Sequence, residues 1–189
     1  MSPLASAAVL IDRGISFIAK IGAWLGVVLV LVVCFDVVTR KLGINKEQVF
    51  GFNSTQVQET EYWLHTLLFS LTLGWAYLRQ SHVRIDLLRE RLSLNTQYVI
   101  EILGGLFFLL PYSAIGVYYC SKYAYVSYLE NEVSNSTIGL SHIWILKGLM
   151  PVMFILLGLA AIAMIFKSIA GLMGRLPDDM IAETVGGDH

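Results

Sequence analysis

Apolar residues in this sequence are grouped into four long blocks that are separated by more polar stretches. The blocks that are free of charge, or nearly so, cover residues 21–35, 62–78, 102–121 and 148–166. A membrane-spanning helix needs about 20 apolar residues to cross about 30 Å of hydrocarbon, and the last two blocks meet that length. The first two reach it when their polar flanks lie among lipid headgroups. The pattern therefore predicts an all-α integral membrane protein with four transmembrane helices.

The four blocks define one membrane domain, residues 1–176, followed by a polar C-terminal tail, residues 177–189. We expect the spans to cover about residues 17–39, 58–79, 99–121 and 143–167. Thr55 and Gln58 fit the capping pattern T-x-x-Q, which predicts that a helix begins there. Pro111, inside the third span, has no backbone N–H and predicts a kink.

Basic residues are distributed unequally between the two sides of the predicted bundle. Placing both termini in the cytoplasm puts eight of the 13 lysine and arginine residues inside: Arg13, Lys20, Arg79, Arg84, Arg89, Arg91, Lys167 and Arg175. Five remain outside: Arg40, Lys41, Lys46, Lys122 and Lys147. The positive-inside rule favours this orientation, with both termini cytoplasmic.

The inner stretch between the second and third spans reads HVRIDLLRERL. Ile85, Leu88 and Leu92 fall on one helical face, and most of the arginines lie elsewhere. This pattern predicts an amphipathic interfacial segment between helices 2 and 3 that lies flat on phospholipid headgroups. A short solvated loop is the alternative.

Composition agrees with a lipid environment. The chain is 56% hydrophobic and 14% charged, against about 25% charged in an average soluble domain, and its mean hydropathy is +0.67. A net charge of −1 and the lack of a basic cluster argue against nucleic acid as a partner.

Few ionisable residues lie at membrane depth, and each is a candidate for function. Asp36 and Arg40 are four residues apart on one helical face. An interfacial ion pair is the favoured interpretation, and a proton or sodium site is the alternative. Glu61 and His65 share the same spacing, but a metal site would need further ligands, so we expect neither a metal nor a cofactor.

Small residues can let helices approach closely. They form a GxxxG pair and a Gly-Gly pair: Gly22, Gly26, Gly104 and Gly105.

Two stretches resemble a known family. TQVQETEYWLHTLLFSLTLGWAYLRQSHVRIDLL is similar to the second span and inner loop of the small membrane subunit of tripartite ATP-independent periplasmic (TRAP) transporters, the DctQ-like family. The matching positions there are Glu59, Glu61, Trp63, Arg79, His82, Val83, Arg84 and Asp86. A second stretch, S-x-x-x-x-GL-x-x-x-WILKGLMPVMFILLGL, resembles the family's last span, and its matching positions are Ser134, Gly139, Leu140, Trp144, Lys147 and Pro151. The family often has proline where this chain has Ser141, and the resemblance covers roughly residues 15–170.

The resemblance implies a non-enzymatic subunit of a bacterial inner-membrane importer. Its partners would be a large DctM-like membrane subunit, in which sodium coupling is expected, and a periplasmic DctP-like protein that binds an organic acid. The small subunit would brace the large one, and its outer loops, residues 41–61 and 130–142, would face the binding protein. Candidate partner or lipid contacts are Glu59, Glu61, Trp63, His82, Arg84, Asp86, Arg89, Glu130, Glu132, Trp144 and Lys147.

Three other functions fit four spans. A self-sufficient channel or exporter would move solute unaided. A haem enzyme would need histidine pairs within spans, and only His65 lies inside one. A eukaryotic tetraspan protein would use the sequons at Asn53 and Asn135 but usually braces its outer loops with disulfides, which this chain lacks.

Overall fold

The computed structural model describes residues 3–81, 92–136, 138–177, 180, 181 and 184. Within these residues the structure is helical and contains no strand, which confirms the all-α prediction. The helices are α1 (Pro3–Lys41), α2 (Lys46–Phe50), α3 (Ser54–Leu78), α4 (Leu94–Leu129) and α5 (Ile143–Leu172). By length and composition, three of the described helices can cross a membrane: α1, α4 and α5.

Helix α1 begins well before the predicted first span. Pro3 occupies its first position, where a missing N–H and a fixed φ cost nothing. The stretch that follows is rich in alanine and leucine, which favour helix. The charge pattern therefore located the charge-free part of the helix but not the turns that precede it.

Helix α3 begins two residues earlier than the predicted capping pattern. Asn53 is the N-cap: its side chain accepts the backbone N–H of Gln56 at 2.9 Å, and the Gln56 side chain accepts the N–H of Asn53 at 3.2 Å. The prediction that Thr55 and Gln58 form this box was wrong. Asparagine is the stronger N-cap, and its amide Nδ2 also donates to the carbonyl of Ile138 at 3.0 Å.

Helix α4 contains a five-residue π-helical segment, Gly105–Leu109, immediately before the turn that holds Pro111. A proline ring inside a helix clashes with the carbonyl four residues earlier and leaves that carbonyl without its usual donor. A π segment widens the turn at this point. The chain therefore accommodates Pro111 by a local change of helix type, and the helix continues to Leu129.

Helices α1, α3 and α5 pack against one another and form a three-helix core. Its centre is a cluster of small and medium apolar side chains: Ala8, Ile15, Leu78, Leu156, Ala160, Ala163 and Met164. Helix α3 runs antiparallel to α1, since Arg79 lies near Asp12 while Gly22 lies against Leu71. Helix α4 packs mainly on α5.

This topology gives the bundle two ends. The termini end contains the start of α1 and the end of α5. The loop end contains α2 and the segment 130–142 between α4 and α5. The two connections carrying outer-loop predictions therefore lie at the same end of the bundle.

Candidate functional site at the two ends of the helix bundle

A buried ion cluster joins the three core helices at the termini end. The carboxylate of Asp12, on α1, accepts from Lys167 Nζ of α5 at 2.9 Å and from Arg79 Nη2 at the end of α3 at 3.3 Å. Lys167 is fully buried, so contacts such as this one must replace the solvation that its ammonium has lost. Ser16 adds a further donor to Asp12 at 3.1 Å. We call Asp12, Arg79 and Lys167 the termini lock.

The sequence analysis placed Arg79 and Lys167 at the same end of the helix bundle, as the structure does. It did not identify Asp12 as their partner. The signal was present: a single carboxylate precedes Arg13 in an otherwise apolar and small-residue stretch. A pairing across 155 residues cannot be read from local spacing, however, because no helical periodicity connects α1 with α5.

A second ion cluster lies at the loop end. Asp36 pairs with Arg40 at 2.5 Å, which confirms the predicted i, i+4 pair. It also accepts from Lys46, the first residue of α2, and both side chains are nearly fully buried (Asp36 4% and Lys46 2% exposed). We call Asp36, Arg40 and Lys46 the loop lock. It fixes α2 onto the end of α1.

Aromatic rings close the apolar side of the loop lock. Phe35 meets Phe50 edge-on with ring centroids 5.3 Å apart, and Phe50 stacks on Phe52 at 5.7 Å. Beside them is an apolar cavity of about 420 Å³, lined by α1, α3 and Leu140. The connection between α1 and α3 is therefore a packed element and not a loose loop.

Glu59 holds the connection between α4 and α5 in place. Its carboxylate accepts from the Ser134 hydroxyl and, at 2.5 Å, from the backbone N–H of Leu140. Gly139 leaves room for this, since a Cβ there would collide with Glu59 Oε1. The two stretches that resemble the DctQ-like family therefore meet at this carboxylate. We call Glu59, Ser134, Gly139 and Leu140 the loop anchor.

Glu132 and Lys147 form the next contact along the same connection. Their side chains make an ion pair, and Lys147 Nζ lies 3.9 Å from the centroid of the Tyr123 ring. The hydrogen bond from Lys147 lowers the pKa of Glu132 below its ordinary range. Trp144 packs edge-on against Tyr128 at 5.2 Å. These contacts join the end of α4 to the start of α5.

The other predicted contact residues are placed differently from one another. Glu130 is exposed at the end of α4, whereas Trp63 lines a cavity of about 210 Å³. Glu61 is half-buried, and its Oε1 is enclosed without a hydrogen-bond partner among the described residues. The interfacial segment, with His82, Arg84, Asp86 and Arg89, lies outside the described residues.

Of the four glycines predicted to pack against other helices, three do so and one does not. A Cβ placed on Gly22 would lie 3.0 Å from Leu71 and from Thr72 of α3, and Gly26 lies against Leu68. Gly105 abuts Ile165 of α5, while Gly104 faces open space. Within the described ranges, no three His, Cys, Asp or Glu side chains come together in a group that could hold a metal ion.

Comparison with known proteins identifies the family. Residues 29–171 match the family model described as "Tripartite ATP-independent periplasmic transporters, DctQ component". A search of curated proteins and a search of solved structures each return no match. The matched range covers most of the chain and includes the loop lock, the loop anchor and Lys167. The chain therefore belongs to the DctQ family, the small membrane component of TRAP transporters.

Proposed function

We propose that this chain is the fixed brace of a TRAP transporter in the bacterial inner membrane. In this proposal it holds the large membrane subunit in place and helps to dock the periplasmic binding protein during sodium-coupled uptake of an organic acid. The observation that carries the proposal is the pairing of its buried carboxylates. Asp12 and Asp36 are each occupied by two cations of the same chain, an arrangement that suits a rigid scaffold better than an ion pathway.

The proposal includes α3 as a fourth span, with both termini in the cytoplasm. Helix α3 has 25 residues and is about 37 Å long at 1.5 Å per residue, which exceeds the hydrocarbon thickness. It packs between α1 and α5, with the termini lock at one end and the loop anchor at the other. If α1 and α5 cross the bilayer, α3 is carried across with them.

Fixing the helices at both ends is what a brace requires. A charge pair in a low-dielectric setting has few alternative geometries, because separating its members exposes each to an unsatisfied environment. The termini lock joins α1, α3 and α5, and the loop lock joins α1 to α2. A moving substrate site in the large subunit would then have a stationary surface to move against.

The loop end supplies a shaped surface for the binding protein. Glu59 constrains residues 134–140 from inside, while Glu130 remains exposed to an external partner. An exposed carboxylate at the rim of an interface acts mainly on the association rate through long-range attraction. Glu132 is less suited to this role, because Lys147 already pairs with it.

The test of bracing is reconstitution of all three components in liposomes with a labelled organic acid and a sodium gradient. We expect no uptake by this chain alone and little uptake when it is omitted. Asp36→Asn should lower recovery of the assembled complex about tenfold, equivalent to about 1.4 kcal/mol, and leave the sodium concentration for half-maximal uptake unchanged. A shifted sodium dependence, or uptake by this chain alone, would overturn the proposal.

The test of docking is Glu130→Lys, measured as the association rate of the binding protein at low and high salt. The rate should fall at low salt, and the difference should shrink as salt screens the charge. Arg13→Glu, an exposed reversal at the opposite end, is the matched control and should leave docking unchanged. Equal effects of the two variants would show that Glu130 does not face the binding protein.

A further inference from the structure

Helix α4 combines two properties that conflict if lipid alone surrounds it. Of the three described helices that can cross a membrane it is the least apolar, and only 11% of its most apolar stretch is buried in the chain, against 44% for α5. A helix face that meets only hydrocarbon should be the most apolar, because uncompensated polar groups are costly there. A protein partner on α4 removes the conflict.

The inner and outer faces of α4 differ in composition. Small residues face α5: Ser113 is buried beside Gly158, and Gly116 lies against Phe154. About half a helical turn away, at 3.6 residues per turn, an open groove of about 590 Å³ follows the opposite face. It is lined by Ala114, Val117, Tyr118, Ser121, Lys122 and Tyr125.

The groove has the form expected for a helix-packing site. Ala114 and Ser121 are seven residues apart, and they alternate along the helix with Tyr118 and Tyr125, which are also seven apart and are exposed. Small residues let a second helix approach the backbone, and hydroxyl groups can form hydrogen bonds across a helix pair in a membrane. Tyrosine gives a large rigid contact area with a polar tip.

Two lysines at the same level of the bundle differ in their partners. Lys147, on α5, is paired with Glu132 and lies over the ring of Tyr123. Lys122, next to Tyr123 in sequence, is exposed in the groove, and the described part of the chain supplies it with no ion pair or hydrogen bond. A partner that covers the groove would be favoured if it placed a negatively charged acceptor opposite the Lys122 ammonium.

We propose that the groove formed by Tyr118, Ser121, Lys122 and Tyr125 binds a membrane-spanning helix of the large TRAP subunit that places a carboxylate opposite Lys122. The assignment rests on the proposed bracing function and names the surface that performs it. A second copy of this chain fits less well, since a two-fold axis along the membrane normal would bring Lys122 close to its own counterpart.

Site-specific photocrosslinking in the complete transporter tests the assignment. Benzoylphenylalanine replaces Tyr118 or Tyr125 in the groove, or Trp24 as control, which is also exposed (73%, against 64% for Tyr118) but lies on α1. We expect covalent adducts with the large subunit, identified by mass spectrometry, from the two groove positions and several-fold less from position 24. Adducts mainly with a second copy, only with lipid, or mainly from position 24 would overturn the assignment.

Charge reversal provides an independent measurement. Lys122→Glu should lower co-purification of the large subunit about tenfold, equivalent to about 1.4 kcal/mol, whereas Lys122→Arg should retain it. Lys41→Glu, an exposed reversal at the end of α1, is the control. If the unmodified subunits co-purify and none of these substitutions changes the yield of the large subunit, the groove assignment is wrong and the bracing function is unaffected. If the unmodified subunits do not associate, the bracing function itself is wrong.

Discussion

The three-helix core and helix α4 are held by different kinds of interaction. The core helices are joined by the termini lock, in which a fully buried ammonium meets a carboxylate from another helix. Helix α4 has an apolar contact with α5 along its length, and at its end the connection 130–142 is tied down by the loop anchor and by Lys147. The three core helices are thus joined to one another by ion pairs, whereas the groove face of α4 is exposed in the described part of the chain.

The sharpest test of this contrast is to break the termini lock. Asp12→Asn removes the carboxylate that faces Lys167, and we expect a loss of up to about 3–5 kcal/mol in unfolding free energy, because the buried Lys167 ammonium loses an ionic contact. Denaturant unfolding in detergent measures it. Lys122→Met on α4 is the control and should change the stability of the isolated chain by less than about 0.5 kcal/mol.

A double variant separates charge from packing in the same lock. Asp12→Leu combined with Lys167→Met removes both ions, and much of the lost stability should return, as apolar replacements of buried pairs often do. Equal losses from Asp12→Asn and Lys122→Met would show that the termini lock does not stabilise the core.

The next largest effect concerns the loop anchor. Glu59→Gln keeps the shape of the side chain but removes its charge, so one of the two hydrogen bonds to Ser134 and the Leu140 N–H loses its acceptor. We expect a local loss of about 1.5–3 kcal/mol, the usual range for hydrogen bonds to a charged group. Hydrogen exchange at the amide of Leu140 reports it directly.

The anchor should act on the α4 side and leave the core intact. Exchange of core amides near Met164 should be unchanged in Glu59→Gln. The matched control is Glu47→Gln, which changes a carboxylate in α2, on the connection between α1 and α3. Faster exchange throughout α1 and α5 would mean that the anchor supports the whole bundle and that the two regions are not separate.

The sequence predicted what depends on local pattern and missed what depends on distant pairing. Apolar blocks indicated the long helices, and the i, i+4 spacing located the Asp36–Arg40 pair. Lys46 as its second partner depends on α2 folding back across ten residues. The Asp12–Lys167 pair depends on tertiary packing, which no periodicity encodes.

The start of α3 illustrates the same limit at short range. Two overlapping patterns, at Asn53–Gln56 and Thr55–Gln58, both fit a capping box. Asparagine is the stronger N-cap of the two, and the contact between Asn53 and Ile138, formed once α3 and the connection 130–142 are side by side, adds a tertiary reason that no local pattern shows. Similarly, Glu59 and Glu61 are equivalent as sequence, but the structure assigns the loop anchor to Glu59 alone.

The smallest expected effect is a pH dependence confined to the end of α4. The pKa of Glu132 is lowered by its hydrogen bond from Lys147, so the folded pKa lies below the unfolded value. The pair therefore stabilises the connection at and above the ordinary glutamate pKa, and this contribution is lost as the pH falls through the lower, folded pKa. Limited proteolysis of residues 130–142, followed from neutral to acidic pH, should show cleavage rising only in that acidic interval.

The Glu132→Gln variant should be cleaved faster at neutral pH and lose most of the pH dependence. The Glu130→Gln variant, which changes an exposed neighbour, should behave as the unmodified chain. Because the Glu132 side chain is about one-third exposed, solvent screens the pair and the change should be modest. An unaltered pH profile in Glu132→Gln would show that this ion pair does not hold α4 to α5, leaving apolar packing and the loop anchor as its attachment to the core.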